Sequence, residues 1–307
     1  MRSPLNRDRE LPDWPNAEAS RFVTAGGLDW HVQQMGEGPS LLLLHGTGAS
    51  CHSWAGVMEE LANDFTLIVP DLPGHGFTAG SLRGGPTLAN VTKALAALLG
   101  ELGRSPDAIV GHSAGVAIAL DYARTHTPDI PVVGFGPAIT PFPGLAAKLF
   151  PAMAKMLFVN PLVPRIFAAT TRIPGETERF LRRATGSKIT PGYLACYEAL
   201  LGNHRHCEGA LEMMANWDLD TFSDGLGEVT NPVLLVHGRK DKAVPTGAVE
   251  GAASRLPNAQ LTLLDDLGHL AHEEDAEAAA ELIGGFVKEQ SAAPSGHAEG
   301  DHELDER

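Results

Sequence analysis

Cysteine is scarce in this sequence, and the few cysteines form no disulfide pattern. The 307 residues contain only Cys51, Cys196 and Cys207, an odd and widely spaced set without a CxxC pair. Such a set excludes a disulfide framework of the kind that staples small secreted domains. We therefore expect a protein of the reducing cytoplasm.

Long apolar runs are also missing. No stretch approaches the ~18 consecutive apolar residues that a transmembrane helix needs, and the first twenty residues are polar, without the apolar core of a secretory signal. We expect neither a membrane span nor a leader. The sequence also lacks GxxxxGK[ST], which excludes an ATP-driven motor of the P-loop type.

Positively charged residues are few compared with negatively charged ones. Lys and Arg number 23 against 38 Asp and Glu, which gives a formal net charge of −15. A chain of this charge is repelled by phosphates, so we expect no nucleic-acid partner. Residues 289–307 are acidic and too polar to bury a core, and we predict a disordered acidic tail there. We assign residues 1–19 to an N-terminal extension.

What the sequence does contain is an alternation of strands and helices. Short apolar runs that end in glycine or proline are typical of strands covered on both faces of a parallel sheet, and helical patterns separate them. These runs are "LLLLHG", "TLIVPDLPG", "DAIVGHS", "PVVGFG", "PVLLVHG" and "AQLTLLD". A predicted hairpin around Gly26 and Gly27 precedes these runs. The alternation of strands and helices after it predicts a mostly parallel, doubly wound α/β sheet.

The alternation is interrupted once. Residues 140–225 are rich in Met, Phe and Pro and show helical patterns without strands, after which the alternation resumes. Two separate domains would need a linker, and none is visible. We therefore expect one core, formed by residues 20–139 and 226–288, with a helical cap of residues 140–225 inserted after the sixth predicted strand.

A candidate nucleophile lies in "IVGHSAGVAIAL", which places Ser113 between Gly111 and Gly115 where a predicted strand meets a predicted helix. GxSxG by itself is a weak sign, because it arises easily by chance in a glycine-rich chain. The order Ser, Asp, His strengthens it, since Asp241 and His269 each follow a later predicted strand. Strand-terminal loops of a parallel sheet open on one edge, so these residues can meet there.

These three residue types suit acyl transfer. A serine hydroxyl is a weak nucleophile at neutral pH, so an imidazole must accept its proton and a buried carboxylate must hold and balance the imidazole. We predict Ser113 as the nucleophile, His269 as the general base and Asp241 as the acid.

Other residues could fill two of these roles. Asp265 and Asp266 are alternative acids, but they precede His269 on its own strand and would have to fold back on it. His112 and His272 are alternative bases, the first in the turn of the nucleophile and the second one helical turn into the next element. All four remain alternatives at this point.

An oxyanion hole requires two N–H donors, each worth on the order of 3 kcal/mol. Ala114 follows the nucleophile at a helix N-terminus, where the local dipole also helps. The loop "HGTGAS" after the first buried strand offers Thr47 as the second donor. The two glycines of GxSxG are expected to leave room where the strand turns sharply into the helix.

Five motifs in this order resemble those of the α/β-hydrolase fold superfamily over about residues 20–288. They are "HGTGAS", "DLPGHGFT", "GHSAG", "HGRKD" and "GHLAHEE". A narrower resemblance links the chain to the magnesium-chelatase accessory proteins of bacteriochlorophyll biosynthesis. It rests on "DWPNAEASRFV", "WHVQQMG", "LLLLHGTGAS", "ATGSKITPGYLACY", "ALEMMANWDLD" and "GHLAHEE". This resemblance implies a role near magnesium insertion into protoporphyrin, with magnesium-chelatase subunits as partners, and leaves the reaction open.

The identity of Ser113 favours one class of reaction. Dehalogenases and epoxide hydrolases of the superfamily that this chain resembles have an aspartate at the corresponding position. The predicted reaction is therefore acyl transfer to water, without a cofactor. "NHRHC" could in principle bind a metal through His204, His206 and Cys207, but the chain offers no second set of ligands, and we predict no metal site.

The helical cap contains a Met-rich set of residues. These residues could simply pack the cap against the core. Alternatively, they could line a pocket for a small hydrophobic substrate that is flat and apolar, such as a tetrapyrrole. The candidate pocket residues are Met153, Met156, Met213 and Trp217.

Overall fold

A nine-stranded sheet forms the centre of the computed structural model, which describes residues 3–141, 160 and 162–292. The strands are β1 (Ser20–Ala25), β2 (Leu28–Met35), β3 (Ser40–Leu44), β4 (Thr66–Pro70), β5 (Ala79–Gly80), β6 (Ala108–His112), β7 (Val132–Phe135), β8 (Val233–Gly238) and β9 (Ala259–Leu264).

The α-helices of the described residues are α1 (Arg7–Glu10), α2 (Ala55–Leu61), α3 (Leu88–Glu101), α4 (Ala114–His126), α5 (Leu162–Thr171), α6 (Glu176–Thr185), α7 (Pro191–Leu201), α8 (His204–Asn216), α9 (Leu219–Asp224), α10 (Thr246–Ala253), α11 (Ala271–Glu274) and α12 (Ala276–Ala292). Short 3₁₀ helices cover Leu11–Asp13, Ala17–Ala19, Cys51–Trp54 and Gly225–Glu228. In the described part of the chain, no helix has the length and apolar character needed to cross a membrane.

The sheet has the predicted topology. Its strand order is β1-β2-β4-β3-β6-β7-β8-β9, with β5 paired to β2. The pairs from β4 through β9 are parallel, and only β1 and β2 run antiparallel to their neighbours, with β5 antiparallel to β2. The α/β-hydrolase fold expected from the motifs is therefore confirmed.

The core lies on both faces of the sheet, as the continuous apolar runs predicted. In β3, Leu42 and Leu44 join one buried cluster with α3, α4 and α10, while Leu41 and Leu43 join the opposite cluster with α2 and α12. Successive strand residues point to opposite faces, so a strand covered on both sides must be apolar throughout.

Two boundaries differ from the sequence-based expectation. The inserted helices follow the seventh strand rather than the sixth, because β5 is only two residues long and leaves no periodic apolar signal. The last helix ends at Ala292, beyond the start of the tail predicted at residue 289, and residues 293–307 lie outside the described residues. The N-terminal residues pack on the core, with Leu5 and Trp14 buried.

The backbone is closely packed at the turn from β6 into α4. Ser113 has a φ of 51°, and a Cβ at Gly111 would lie 2.6 Å from the backbone nitrogen of Val116. A Cβ at Gly115 would overlap the carbonyl oxygen of Leu44. Both glycines of the motif are thus required by close backbone approach.

We predict that Gly115→Ala lowers the free energy of unfolding by about 2 kcal/mol, because the strand β3 cannot move away without breaking its ladder. Gly100→Ala is the matched control in α3, where the added Cβ meets no atom within 4 Å. It should raise stability by roughly 0.5 to 1 kcal/mol. Urea unfolding measures both, and equal effects would contradict the close-approach argument.

Candidate active site

Ser113 is half-buried at the strained turn that follows β6, and it lines a cavity. Its backbone N–H donates to the carbonyl of Phe135 at 2.8 Å, which ties the turn to the neighbouring strand β7. A Cβ at Gly46 would lie 3.0 Å from the Cβ of Ser113, so the β3 exit must be free of side chains here. A non-glycine residue at positive φ costs about 1–3 kcal/mol and is retained where the surrounding structure demands it.

Asp241 and His269 lie together in the loops after β8 and β9. Nδ1 of His269 and Oδ2 of Asp241 are 2.7 Å apart, and both side chains are buried. The other carboxylate oxygen accepts the backbone N–H groups of Ala243 at 2.7 Å and Val244 at 2.9 Å. Because Nδ1 must donate to this carboxylate, Nε2 of His269 is left as the acceptor.

The alternative acids lie elsewhere. Asp265 pairs with Arg239 at 2.8 Å and Asp266 with Lys240 at 2.7 Å, on the surface of the protein. Their carboxylates are 84% and 88% exposed, so neither can supply a buried negative charge beside His269.

The alternative bases are engaged in other contacts. Nε2 of His112 donates to the backbone carbonyl of His269 at 3.1 Å, so His112 supports the loop of His269. Nε2 of His272 lies 2.9 Å from the hydroxyl of Ser53, which in turn donates to Glu273. Burial lowers the pKa of His272 to about 3 and that of His112 well below its usual value, so both rings are neutral.

A segment of the inserted helices lies between the two loops, and nothing in the sequence pointed to this role. The carbonyl of Thr185 at the end of α6 accepts the backbone N–H groups of His269 at 2.9 Å and Lys242 at 3.3 Å. The hydroxyl of Ser187 accepts the backbone N–H of Leu270 at 2.9 Å. The segment 185–187 therefore holds the Asp241 and His269 loops at their observed distance.

The loop after β3 brings Thr47 to the same place. Thr47 and Ala114 both line the cavity that contains Ser113, and among the described residues neither backbone N–H has an acceptor. Gly48 anchors this loop: its N–H donates to Nε2 of His75 at 3.1 Å, and its carbonyl accepts from Nε2 of His206 at 3.0 Å. Both N–H groups are thus without a protein acceptor at the wall of this cavity.

The histidines that anchor this loop are neutral. Burial lowers the pKa of His206 to about 4 and that of His75 well below its usual value. A neutral imidazole has one nitrogen that donates a hydrogen bond and one that accepts. The accepting nitrogen of His75 binds the N–H of Gly48, and the donating nitrogen of His206 binds its carbonyl. His206 belongs to α8, so the inserted helices support the Thr47 loop as well as the His269 loop.

A cavity of about 1020 Å³ opens at these residues, between the sheet edge and the inserted helices. Ser113, His269 and Trp217 line it, and most of its other lining side chains are apolar. Its size is at the upper end of the range for small-molecule sites.

Only part of the predicted pocket is found here. Trp217 lines the cavity and donates its indole N–H to Pro86 at 3.0 Å. Met213 does not line it: this side chain is fully buried, and its sulfur lies 3.5 Å from the hydroxyl of Thr47. The next residue along α8, Met214, lines the cavity instead, because successive residues of a helix point about 100° apart. Met153 and Met156 lie outside the described residues.

Two groups of residues contain metal-ligand types. His31, Cys51 and Asp71 are buried with their ligand atoms within 4.8 Å of one another. Asp71 accepts from Nδ1 of His31 and from the backbone N–H of Cys51, each at 2.8 Å, so hydrogen bonds explain this cluster. In "NHRHC", His206 contacts the Thr47 loop, whereas the thiol of Cys207 donates to a carbonyl of α7 at 3.2 Å.

We predict that Gly186→Ala disrupts the contact between Asp241 and His269. Gly186 has a φ of 76°, and a Cβ there would overlap the carbonyl oxygen of Lys240, next to Asp241. Gly175→Ala is the matched control, because Gly175 has a φ of 81° but no atom within 4 Å of the added Cβ. Backbone strain is then equal in the two variants.

Gly186→Ala should cost about 2 kcal/mol more stability than Gly175→Ala. It should also remove the downfield proton NMR signal of the His269 Nδ1–H that bonds to Asp241. Loss of that signal in both variants, or in neither, would contradict the role of the segment 185–187.

Comparisons with known proteins find relatives that cover most of this chain. A magnesium-chelatase 30 kDa subunit of Rhodobacter capsulatus is 40% identical over 282 residues, which cover 90% of this chain and 97% of that protein. A pimeloyl-[acyl-carrier protein] methyl ester esterase of Aromatoleum aromaticum is 34% identical over 254 residues, 77% of this chain and 94% of that one.

A thermophilic esterase from Thermogutta terrifontis has a similar structure, with a TM-score of 0.72 at 21% identity over 88% of this chain and 99% of that chain. The family model described as the alpha/beta hydrolase family matches residues 41–282. The resemblance noted in the motifs is therefore confirmed, and the chain belongs to the alpha/beta hydrolase family.

Proposed function

We propose that the protein is a serine hydrolase that cleaves an ester or a related acyl bond in an apolar substrate. One observation carries this proposal: Ser113 lies at a positive-φ turn and lines the same cavity as His269, whose Nδ1 is hydrogen-bonded to the buried carboxylate of Asp241. A protein that only binds a ligand has no need of this arrangement.

The reaction that we propose uses these groups in turn. Nε2 of His269 takes the proton of Ser113 as its oxygen attacks the carbonyl carbon, and the N–H groups of Thr47 and Ala114 bind the oxyanion. His269 then returns the proton to the leaving alcohol, which leaves an acyl group on Ser113. Water, activated by the same imidazole, attacks this acyl-enzyme and releases the acid.

The substrate class follows from the cavity and the relatives. The apolar lining favours a substrate with a large hydrophobic body. The esterase of Aromatoleum aromaticum is named for hydrolysis of a methyl ester. The identity with a magnesium-chelatase subunit supports a role associated with magnesium insertion in bacteriochlorophyll biosynthesis.

We expect Asp241→Asn and His269→Ala each to lower turnover of a short p-nitrophenyl ester by at least ~10³-fold, since both act on the same proton transfer. Asp265→Asn is the matched control, because Asp265 is an exposed surface residue paired with Arg239. Circular dichroism and urea unfolding establish that each variant is folded. If Asp265→Asn lost activity while Asp241→Asn kept it, the assignment of the acid would be wrong.

A second candidate function is that of an accessory protein, which holds a porphyrin or a chelatase subunit and uses the hydrolase fold as a scaffold. The 40% identity with the magnesium-chelatase subunit favours it, because that name describes a part of an assembly and no hydrolysis. The cavity beside Trp217 would then bind a flat apolar ligand. Burying several hundred Å² of such a ligand, at roughly 25 cal/mol per Å², leaves micromolar affinity after the cost of association.

Two measurements separate these functions. Protoporphyrin should quench tryptophan fluorescence saturably in wild type and Ser113→Ala alike, because the nucleophile adds little to ground-state binding, and Trp217→Phe should remove much of the change. Absence of quenching would remove the tetrapyrrole from the proposal. In a deletion strain, restoration of pigment by Ser113→Ala would favour the accessory function, whereas failure of this folded variant would favour hydrolysis.

A further inference from the structure

The exposed apolar side chains of the protein are concentrated in one place. Among the described residues, the large apolar side chains that stand out in solvent are Leu162 (55% exposed), Ile166 (63%), Ile173 (55%) and Phe180 (41%). All four belong to α5, α6 and the turn between them. Scattered single apolar residues need no explanation, but a cluster of this kind marks an interaction surface.

This surface is also basic, in contrast to the rest of the chain. The 24 residues from Leu162 to Thr185 contain five arginines and two glutamates, whereas the whole chain has a net charge of −15. Arg165, Arg182 and Arg183 are exposed, and none of the ion pairs formed by the described residues includes them. We call Leu162, Arg165, Ile166, Ile173, Phe180 and Arg183 the basic apolar face.

The basic apolar face adjoins the cavity of Ser113. A groove between α5 and α6 is lined by Phe167, Arg179, Phe180 and Arg183, and Phe167 and Phe180 also line the main cavity. Their rings meet edge to face, with centroids 5.1 Å apart. The two phenylalanines are therefore the boundary between the outer surface and the cavity.

We propose that the basic apolar face docks on the surface of an anionic lipid bilayer. Along α5, Arg165 and Ile166 follow Leu162 at spacings of three and four residues, so the guanidinium group and the two apolar side chains lie on one side of the helix. At a bilayer surface the apolar side chains enter the region between headgroups and acyl chains, while the guanidinium groups reach the phosphates. The acidic remainder of the protein is repelled by the same phosphates, which orients the molecule with this face toward the lipid.

The docked orientation has a consequence for the cavity. Phe167 and Phe180 would face the membrane, so an apolar ligand dissolved in the bilayer could reach the cavity without crossing water. The docking itself does not depend on hydrolysis. Ser113→Ala should bind lipid as well as wild type, so failure of the proposed reaction and failure of this proposal are distinguishable.

Sedimentation with vesicles tests the proposal. Wild type should bind vesicles containing about one third phosphatidylglycerol, bind pure phosphatidylcholine vesicles weakly, and dissociate in part at high salt. Arg165→Glu combined with Arg183→Glu should weaken binding at least about tenfold. Lys93→Glu combined with Arg104→Glu makes the same change in net charge at exposed positions on and after α3 and should leave binding unchanged.

The apolar contribution needs its own variant. Ile166→Ser combined with Ile173→Ser should also weaken binding about tenfold while leaving stability unchanged, because both side chains are largely exposed. Turnover of a short soluble ester by the face variants should match wild type, which shows that they are folded.

Four results would overturn the proposal. The first is wild-type protein that stays in the supernatant with both kinds of vesicle. The second is a control variant, Lys93→Glu with Arg104→Glu, that loses as much binding as Arg165→Glu with Arg183→Glu. The third is wild-type protein that forms a dimer without lipid and does not bind vesicles, while Ile166→Ser with Ile173→Ser is a monomer. That result would assign the basic apolar face to contact with a second copy of the chain. Binding to polyglutamate without binding to vesicles would assign it to an acidic protein.

Discussion

The strained turn at Ser113 is the constraint on which the candidate site depends. A non-glycine residue at a φ of 51° is tolerated here because β6 and α4 are both packed into the core. Gly111 allows α4 to approach β6 at backbone distance, and Gly115 allows it to approach β3. The same approach places the exit of β3, with Thr47, beside the start of α4. A side chain at either glycine would overlap backbone atoms and displace the elements that meet beside Ser113.

The inserted helices are part of the site as well as its cover. Their segment 185–187 is hydrogen-bonded to the loops of Asp241 and His269, and His206 on α8 holds the carbonyl of Gly48. Three loops from different strands are thus held by one inserted unit. A change in the packing of this unit would therefore reach Asp241, His269 and the Thr47 loop together.

Much of the fold could be predicted from sequence because it depends on local patterns. Continuous apolar runs indicated buried parallel strands, and the strand-end positions of Asp241 and His269 follow from them. The contacts of Gly186 and His206 could not be predicted, since their partners are distant in sequence and carry no periodic signal. Met213 was misplaced because its burial depends on the rotation of α8, which composition does not reveal; its neighbour Met214 faces the cavity.

We propose that His269 activates the hydroxyl of Ser113. Covalent labelling of the active site tests this activation most directly. A fluorophosphonate probe should form one covalent adduct per chain, and mass spectrometry of the digested protein should place it on Ser113. His269→Ala should label far more slowly, and Ser113→Ala not at all. An adduct that persists in Ser113→Ala, or wild-type protein that stays unlabelled while folded, would contradict the account.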